Sequence, residues 1–291
     1  MKEEKREAFR KALREIKNLP TLPGIVNKLS RMAEDPETTT EQMGKVIARD
    51  HILAVKLLRL VNSAFYGFPQ RISSIDSAII LLGFNVIKGL IISASIFEFM
   101  EEQDVELWEH SLACAVAASV LAKRIGVKDP EEVSTAGLIH DIGKVAIKME
   151  LPREYEQISL MVAEQGISRY LAEHEVLGLH HAEAGGWLTK SWNLPAKLVE
   201  PVSCHHDPRL AENEQITSAI VHFADLIVRG MGYGHGDDVW VGPLSQRAWR
   251  YMGLAPSDLD QVLDEIDEKL WEVKGFSLEV MNEPAPETEN D

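Results

Sequence analysis

His and Asp residues recur along this chain in a pattern that suits metal chemistry: His110, the adjacent pair His140-Asp141, His181, the pair His205-His206, and Asp225. Neutral imidazole nitrogen and carboxylate oxygen together suit borderline divalent metals such as Zn, Mn or Fe. The set is large enough for two ions rather than one. Ten His in 291 residues would give about 0.3 adjacent His-His pairs by chance, and the chain has two, at 180–181 and 205–206. The clustering carries more weight than the count.

Consecutive residues on a helix point about 100° apart, so a helical His140-Asp141 pair reaches two neighbouring ions more readily than one. The economical arrangement has His140 on one metal and Asp141 bridging both through its two oxygens. His110 and Asp225 then complete the first site, while His181, His205 and His206 hold the second. Lys144 follows His140 by four residues and Asp141 by three, hence on the same helical face. It could orient the carboxylate or meet a substrate phosphate. His51, His174, His222 and His235 have no such neighbours and read as structural or exposed; His180 reads as a surface neighbour of His181, and Cys204 as a small buried residue.

The elements that must position these groups are helices. Apolar residues recur at three- and four-residue intervals almost throughout, and sustained alternation is missing. The pattern predicts an opening helix to about Asn18, stopped by Pro20 and Pro23, then helices from Pro23 to Asp35, from the Thr38–Glu41 caps, over Ile52–Val61, Ile75–Leu82 and Asn85–Phe99. Between them, Asn62 to Pro69 reads as a turn with Phe65, Tyr66 and Phe68 tucked under it. The acid-rich stretch 101–106 marks a boundary. Beyond it helices are expected over Leu107–Ile125, over Glu131–Ile147 carrying His140-Asp141, over Leu160–Gln165 and Tyr170–Leu177, from His181 to Trp192, from Pro195 to His205-His206, and through Ala219–Leu226 presenting Asp225. Gly230–Gly242 reads as a loop, followed by helices over Gln246–Met252 and Pro256–Trp271.

Composition bounds the setting. The chain is 45% hydrophobic and 26% charged, as in soluble globular proteins. Cys114 and Cys204 are the only cysteines and no apolar run follows the charged start, so a reducing cytoplasm is the expectation and a disulfide framework is not. The longest apolar stretch, Ser77 to Phe97, is interrupted by Asn85 and Lys88, and no membrane span is expected. A net charge of −16 repels duplex nucleic acid. Small phosphorylated ligands or nucleotides need only a local cationic site, which metal ions would supply.

Several ordered strings resemble a known family. Glu109-His110-Ser111, Gly137-Leu138-Ile139-His140-Asp141-Ile142-Gly143-Lys144, His181-Ala182-Glu183-Ala184-Gly185, His205-His206 and Ala224-Asp225 resemble the HD superfamily of metal-dependent phosphohydrolases. Leu19-Pro20-Thr21-Leu22-Pro23, Asn62-Ser63-Ala64-Phe65-Tyr66-Gly67 and Ser74-Ile75-Asp76-Ser77-Ala78-Ile79 before Leu82-Gly83 are similar to the HDOD family. The resemblance covers roughly residues 14–230 and implies an all-helical, bundle-like fold used in bacterial signal transduction and regulation. It does not imply catalysis, since many HDOD members lack the metal residues. This chain keeps every position that the related HD-GYP phosphodiesterases use for metal, yet has no Gly-Tyr-Pro loop after His205-His206. Any hydrolysis is therefore expected to act on a phosphate ester other than cyclic di-GMP, or on that ligand only weakly.

The expected organisation is an all-α multi-helix bundle: an N-terminal HDOD subdomain over 1–105 packed on an HD-type metal-binding subdomain over 106–230, a helical extension over 231–278, and a disordered acidic tail over 279–291. Two functions remain open. One is a phosphohydrolase with two divalent ions, Fe, Mn or Zn, with Asp141 and Lys144 as its catalytic residues. The other is a signalling scaffold whose metal is structural or sensory and whose N-terminal unit binds a protein partner.

Overall fold

The expected caps form, and they set where the helices begin. A computed structural model describes residues 6–11, 22–35, 37–62, 66, 68, 70–97, 105–234 and 240–282, and these residues form helices joined by turns, with no strand among them. The first group is α1 (Leu22–Glu34), α2 (Thr40–Ile47), α3 (His51–Val61), α4 (Ile75–Leu82) and α5 (Phe84–Phe97). Thr39 caps α2 by accepting from Gln42 N, and Gln42 Oε1 accepts from Thr39 N in return. Asp50 and Ser74 cap α3 and α4 in the same sense. Of the turn after α3, Tyr66 and Phe68 are described, and their rings stack 6.0 Å apart. Asn62 closes this turn: its side-chain oxygen accepts from Ile72 N at 2.6 Å and its amide donates to Ile72 O at 2.7 Å. The expected opening helix beyond residue 11 and the stretch 101–104 lie outside the described residues.

The second group is α6 (Val105–Ile125), α7 (Pro130–Ile139), α8 (Ile142–Glu150), α9 (Pro152–Gln165), α10 (Arg169–Leu177), α11 (His181–Ser191), α12 (Ala196–Cys204) and α13 (Gln215–Gly230), followed by α14 (Gln246–Met252) and α15 (Leu259–Asn282). Helix α6 is the axis. Ala113, Ala115, Ala117, Ala118 and Ala122 on it are all buried, and such small side chains let α7, α13 and α15 pack close to its backbone. Among the described residues α6 alone is long and apolar enough to cross a membrane, and most of that surface is buried inside the bundle. Helix α5 packs on α7, so one apolar core runs through both groups.

Three boundaries differ from the sequence reading. The helix expected over Glu131–Ile147 divides into α7 and α8, with His140 and Asp141 in the turn between them. Helix α9 begins at Pro152 rather than near Leu160; proline is well suited to a first helical position, where its missing N–H has no partner to lose. Helix α15 runs on to Asn282, so residues 279–282 are helical rather than disordered. Val262, Ile266 and Leu270, four residues apart and buried, seat it on the bundle, and the helix continues beyond that contact. Residues 283–291 lie outside the described residues.

Candidate metal centre

Five helix segments deliver the candidate ligands to one buried point. His110 sits in the second turn of α6, and His140 and Asp141 in the turn between α7 and α8. His181 opens α11, His205 and His206 follow α12, and Asp225 lies midway along α13. At Asp141 the backbone leaves helical geometry (φ −94°, ψ 11°), and Lys144 N bonds back to Asp141 O at 2.9 Å. That tight turn cancels the angular separation a continuous helix would impose, so the His140 ring and the Asp141 carboxylate face the same cavity.

Close packing of α8, α11 and α12 completes the approach. A Cβ on Gly143 would overlap the carbonyl oxygen of His181, and one on Gly185 would lie 2.8 Å from Val202 Cγ1. Only glycine at these positions lets the α11 backbone sit directly on the first turn of α8, which brings His181 beside Asp141.

Asp141 is the hub. Its Oδ1 lies 3.1 Å from His181 Nε2 and 3.7 Å from His205 Nε2, while its Oδ2 lies 3.4 Å from His140 Nε2 and 3.7 Å from His110 Nε2. Asp225 Oδ1 is 2.9 Å from His110 Nε2 and 3.7 Å from His140 Nε2. His206 Nε2 lies 2.8 Å from His181 Nε2. The donor atoms thus fall into one group of His110, Cys114, His140 and Asp225 and another of His181, His205 and His206, with Asp141 between them. Lys144 Nζ is 2.6 Å from Asp141 Oδ2, so of the two roles open in the sequence the geometry gives it the carboxylate.

Second contacts turn the rings inward. His140 Nδ1–H donates to Gly137 O at 2.7 Å, His205 Nδ1–H to Val202 O at 2.9 Å, and His181 Nδ1–H to Glu173 Oε2 at 2.7 Å. Each bond turns Nε2 to the cavity, the nitrogen whose lone pair the neutral ring offers to a metal. The Nε2 atoms of His140 and His205 and both oxygens of Asp141 are buried without an aligned hydrogen-bond donor or acceptor. Buried polar atoms left so are costly, and this set fits a divalent ion.

Electrostatics cut across the two groups: the carboxylates Glu173 and Asp141 outweigh burial and raise His181, as they do not for its neighbours His205 and His206. Burial takes His110 down to about 4 and drives His205 and His206 well below the ordinary imidazole range, keeping them neutral. At His140 burial also opposes the charge, but the neighbouring carboxylates, Asp141 foremost, outweigh it and lift the ring to about 9. Asp141 and Asp225 are held well below the carboxylate range: burial opposes ionisation, and His140 and Lys144 at the one and Arg229 at the other overcome it.

Three neighbours of the site escaped the sequence reading of ligands. Cys114 Sγ lies 3.5 Å from His110 Nε2, one turn further along α6. Arg229 Nε donates to Asp225 Oδ1 at 2.7 Å, one turn along α13. Both follow four residues after a candidate ligand, a spacing that puts them on its face. Glu173 reaches His181 from the preceding helix, and no spacing rule spans that break. His222 is structural, as expected: its Nδ1–H donates to His205 O at 2.7 Å and its Nε2 accepts from Ser245 N. His180 is half-buried against Tyr170 rather than at the surface, and burial takes it down to about 4. Cys204 is a small buried residue, as expected, and His235 lies outside the described residues.

Comparison with known proteins bears on the fold and the family. A crystal structure of an HDOD domain protein of unknown function from Geobacter sulfurreducens is 26% identical, with a TM-score of 0.73, over 94% of this chain and 97% of that one. A protein from Shewanella amazonensis SB2B, provisionally named a phosphohydrolase, is 25% identical with a TM-score of 0.64 over 94% and 96% of the two chains. An uncharacterised protein of Treponema pallidum (strain Nichols) is 27% identical over 221 residues, 74% of this chain and 43% of that one. The chain spans less than half the length of the curated relatives it matches. The HDOD domain model matches residues 19–208, and with that span, these motifs and this all-helical bundle the chain belongs to the HDOD family of the HD superfamily.

Proposed function

We propose that this chain is a metal-dependent phosphohydrolase acting in bacterial signalling, with two divalent ions held by His110, His140, Asp141, His181, His205, His206 and Asp225. The observation that carries the reading is the Asp141 carboxylate, buried between two groups of imidazoles with one oxygen turned to each. When bound, such ions supply Lewis acidity toward phosphoryl oxygens and acidify a coordinated water. The nitrogen and oxygen donors suit Fe, Mn or Zn.

The chain's own residues do the rest. Lys144, buried and 2.6 Å from Asp141 Oδ2, holds that carboxylate in place and offsets its charge until metal arrives. Arg229 anchors Asp225 and points a second cation toward the cavity, where charge develops on a phosphate undergoing transfer. With a net charge of −16 the ligand is a small phosphate ester rather than duplex nucleic acid. The missing Gly-Tyr-Pro loop after His206 argues for an ester other than cyclic di-GMP.

A second reading makes the metal structural and the N-terminal helices a platform for a signalling partner. Ile80 and Leu81 on α4, 70% and 54% exposed, favour it. Elemental analysis of purified protein, combined with phosphomonoester and phosphodiester panels in added Mn or Fe, tests the first reading. Turnover that disappears in His140→Ala supports it. Metal-loaded protein that turns over nothing across the panels overturns it in favour of the second.

A further inference from the structure

Beside the metal centre lies a cavity of about 830 Å³ whose floor includes His206, Asp225 and Arg229. Its outer wall comes from residues 240–250, which lie beyond the residues matched by the family model. Gly234, at φ 52°, lies against the backbone of Glu106 and His110. Trp240, 53% exposed, and Arg247 and Arg250 of α14 then form the wall.

The lining runs against the charge of the molecule. In a chain of net charge −16, four arginines face this cavity against two aspartates. Arg209 is held by Asp207 through two bonds of 2.7 Å, and Arg229 by Asp225. Arg247 and Arg250 are different. Arg247 Nε donates to the Tyr251 hydroxyl and Arg250 Nε to Gln246 O, and among the described residues neither guanidinium pairs with a carboxylate. Guanidinium groups of this kind bind phosphate through two parallel N–H bonds. Trp240 in the same lining is half exposed, and an indole is the kind of surface on which a nucleobase stacks. The volume sits high in the roughly 300–1,000 Å³ range of small-molecule sites, too large for inorganic phosphate alone.

We infer that the cavity binds a nucleotide carrying two or more phosphoryl groups: one phosphoryl at the metal centre, another on Arg247 and Arg250, the base against Trp240. The inference rests on the reading of the adjoining centre as a phosphate-handling metal site, and it makes Trp240, Arg247 and Arg250 the residues that select the substrate.

Isothermal titration calorimetry of the metal-loaded full chain with ADP, GDP, AMP, GMP and pyrophosphate tests it, with metal content measured after each titration. ADP and GDP bind at least tenfold more tightly than AMP and GMP. Arg247→Gln/Arg250→Gln removes that difference while metal content and melting temperature stay at wild-type values, and Trp240→Ala weakens ADP and GDP but not pyrophosphate. Equal binding of mono- and diphosphates, a preference that survives the double variant, or no nucleotide binding at all overturns the inference. Arginine-dependent diphosphate binding without any phosphoester turnover would sink the hydrolase reading and leave this one standing. Hydrolysis of p-nitrophenyl phosphate by protein that binds no nucleotide would do the reverse.

Discussion

One oxygen of Glu173 receives two bonds from His181: the backbone N–H and the ring Nδ1–H both reach Oε2 at 2.7 Å. The carboxylate is fully buried, and the same residue therefore caps the start of α11 and aims its first side chain. Burial opposes ionisation of Glu173, but His181 and Arg169 hold it below the usual carboxylate range, so it stays an acceptor.

Glu173→Gln keeps the shape but puts an amide where a carboxylate accepted both bonds. Losing such a partner to a ligating imidazole weakens metal affinity by roughly 10–100-fold. Competition with a chromophoric chelator should show that loss. An unchanged affinity would mean that His181 is held by packing alone.

The contact between Gly143 and His181 is the steric counterpart. Alanine at 143 would drive a methyl into the His181 carbonyl, and since backbone rather than a flexible side chain is struck, α8 and α11 must part. Overpacking of this kind costs about 1–3 kcal/mol. A lower melting temperature and reduced metal content are expected together. Wild-type values for both would show that the helices have slack the structure does not reveal.

The helices were largely readable from periodicity, and the His and Asp residues that cluster from residue type and order, because each motif is local. What was not readable depends on where the chain bends. Nothing in Leu138-Ile139-His140-Asp141-Ile142-Gly143 contains proline or an interrupting polar run, so the period continues across a helix break that only tertiary contacts with α11 explain. Glu173 was invisible because it acts across a turn, while Cys114 carried the four-residue spacing from His110 but looks like a core residue among alanines. Arg247 and Arg250 gave no signal at all, since their charge gains meaning only beside a cavity built from distant segments.

Proton release should accompany metal uptake. In metal-free protein His140 is lifted to about 9, the carboxylates outweighing burial, so its ring is protonated at pH 7.5 and must lose that proton to become a ligand. Calorimetry in buffers of different ionisation enthalpy should find proton release at pH 7.5 that fades above pH 9. The same raised value makes this interaction stabilise metal-free protein fully below its unfolded value near 6.5 and lose that contribution as pH rises through about 9. A melting temperature of metal-free protein that climbs over this window would contradict the assignment.

Ion stoichiometry separates a bridging carboxylate from an ordinary ligand. Asp141 presents Oδ1 to His181 and His205 and Oδ2 to His140 and His110, whereas His206 approaches only the His181 side. Asp141→Ala should therefore lose both ions together, while His206→Ala should keep the ion near His110 and Asp225. Metal bound only by the folded state stabilises it, by about 2.7 kcal/mol at a hundredfold excess over Kd, so the Asp141 variant should also show the larger fall in melting temperature. Because Asp141→Ala leaves Lys144 buried without its carboxylate, Asp141→Asn serves as the control that retains volume and polarity. Plasma mass spectrometry of the three variants decides the matter: full metal content in both Asp141 variants removes the bridge, and equal losses in the Asp141 and His206 variants reduce the centre to a single ion.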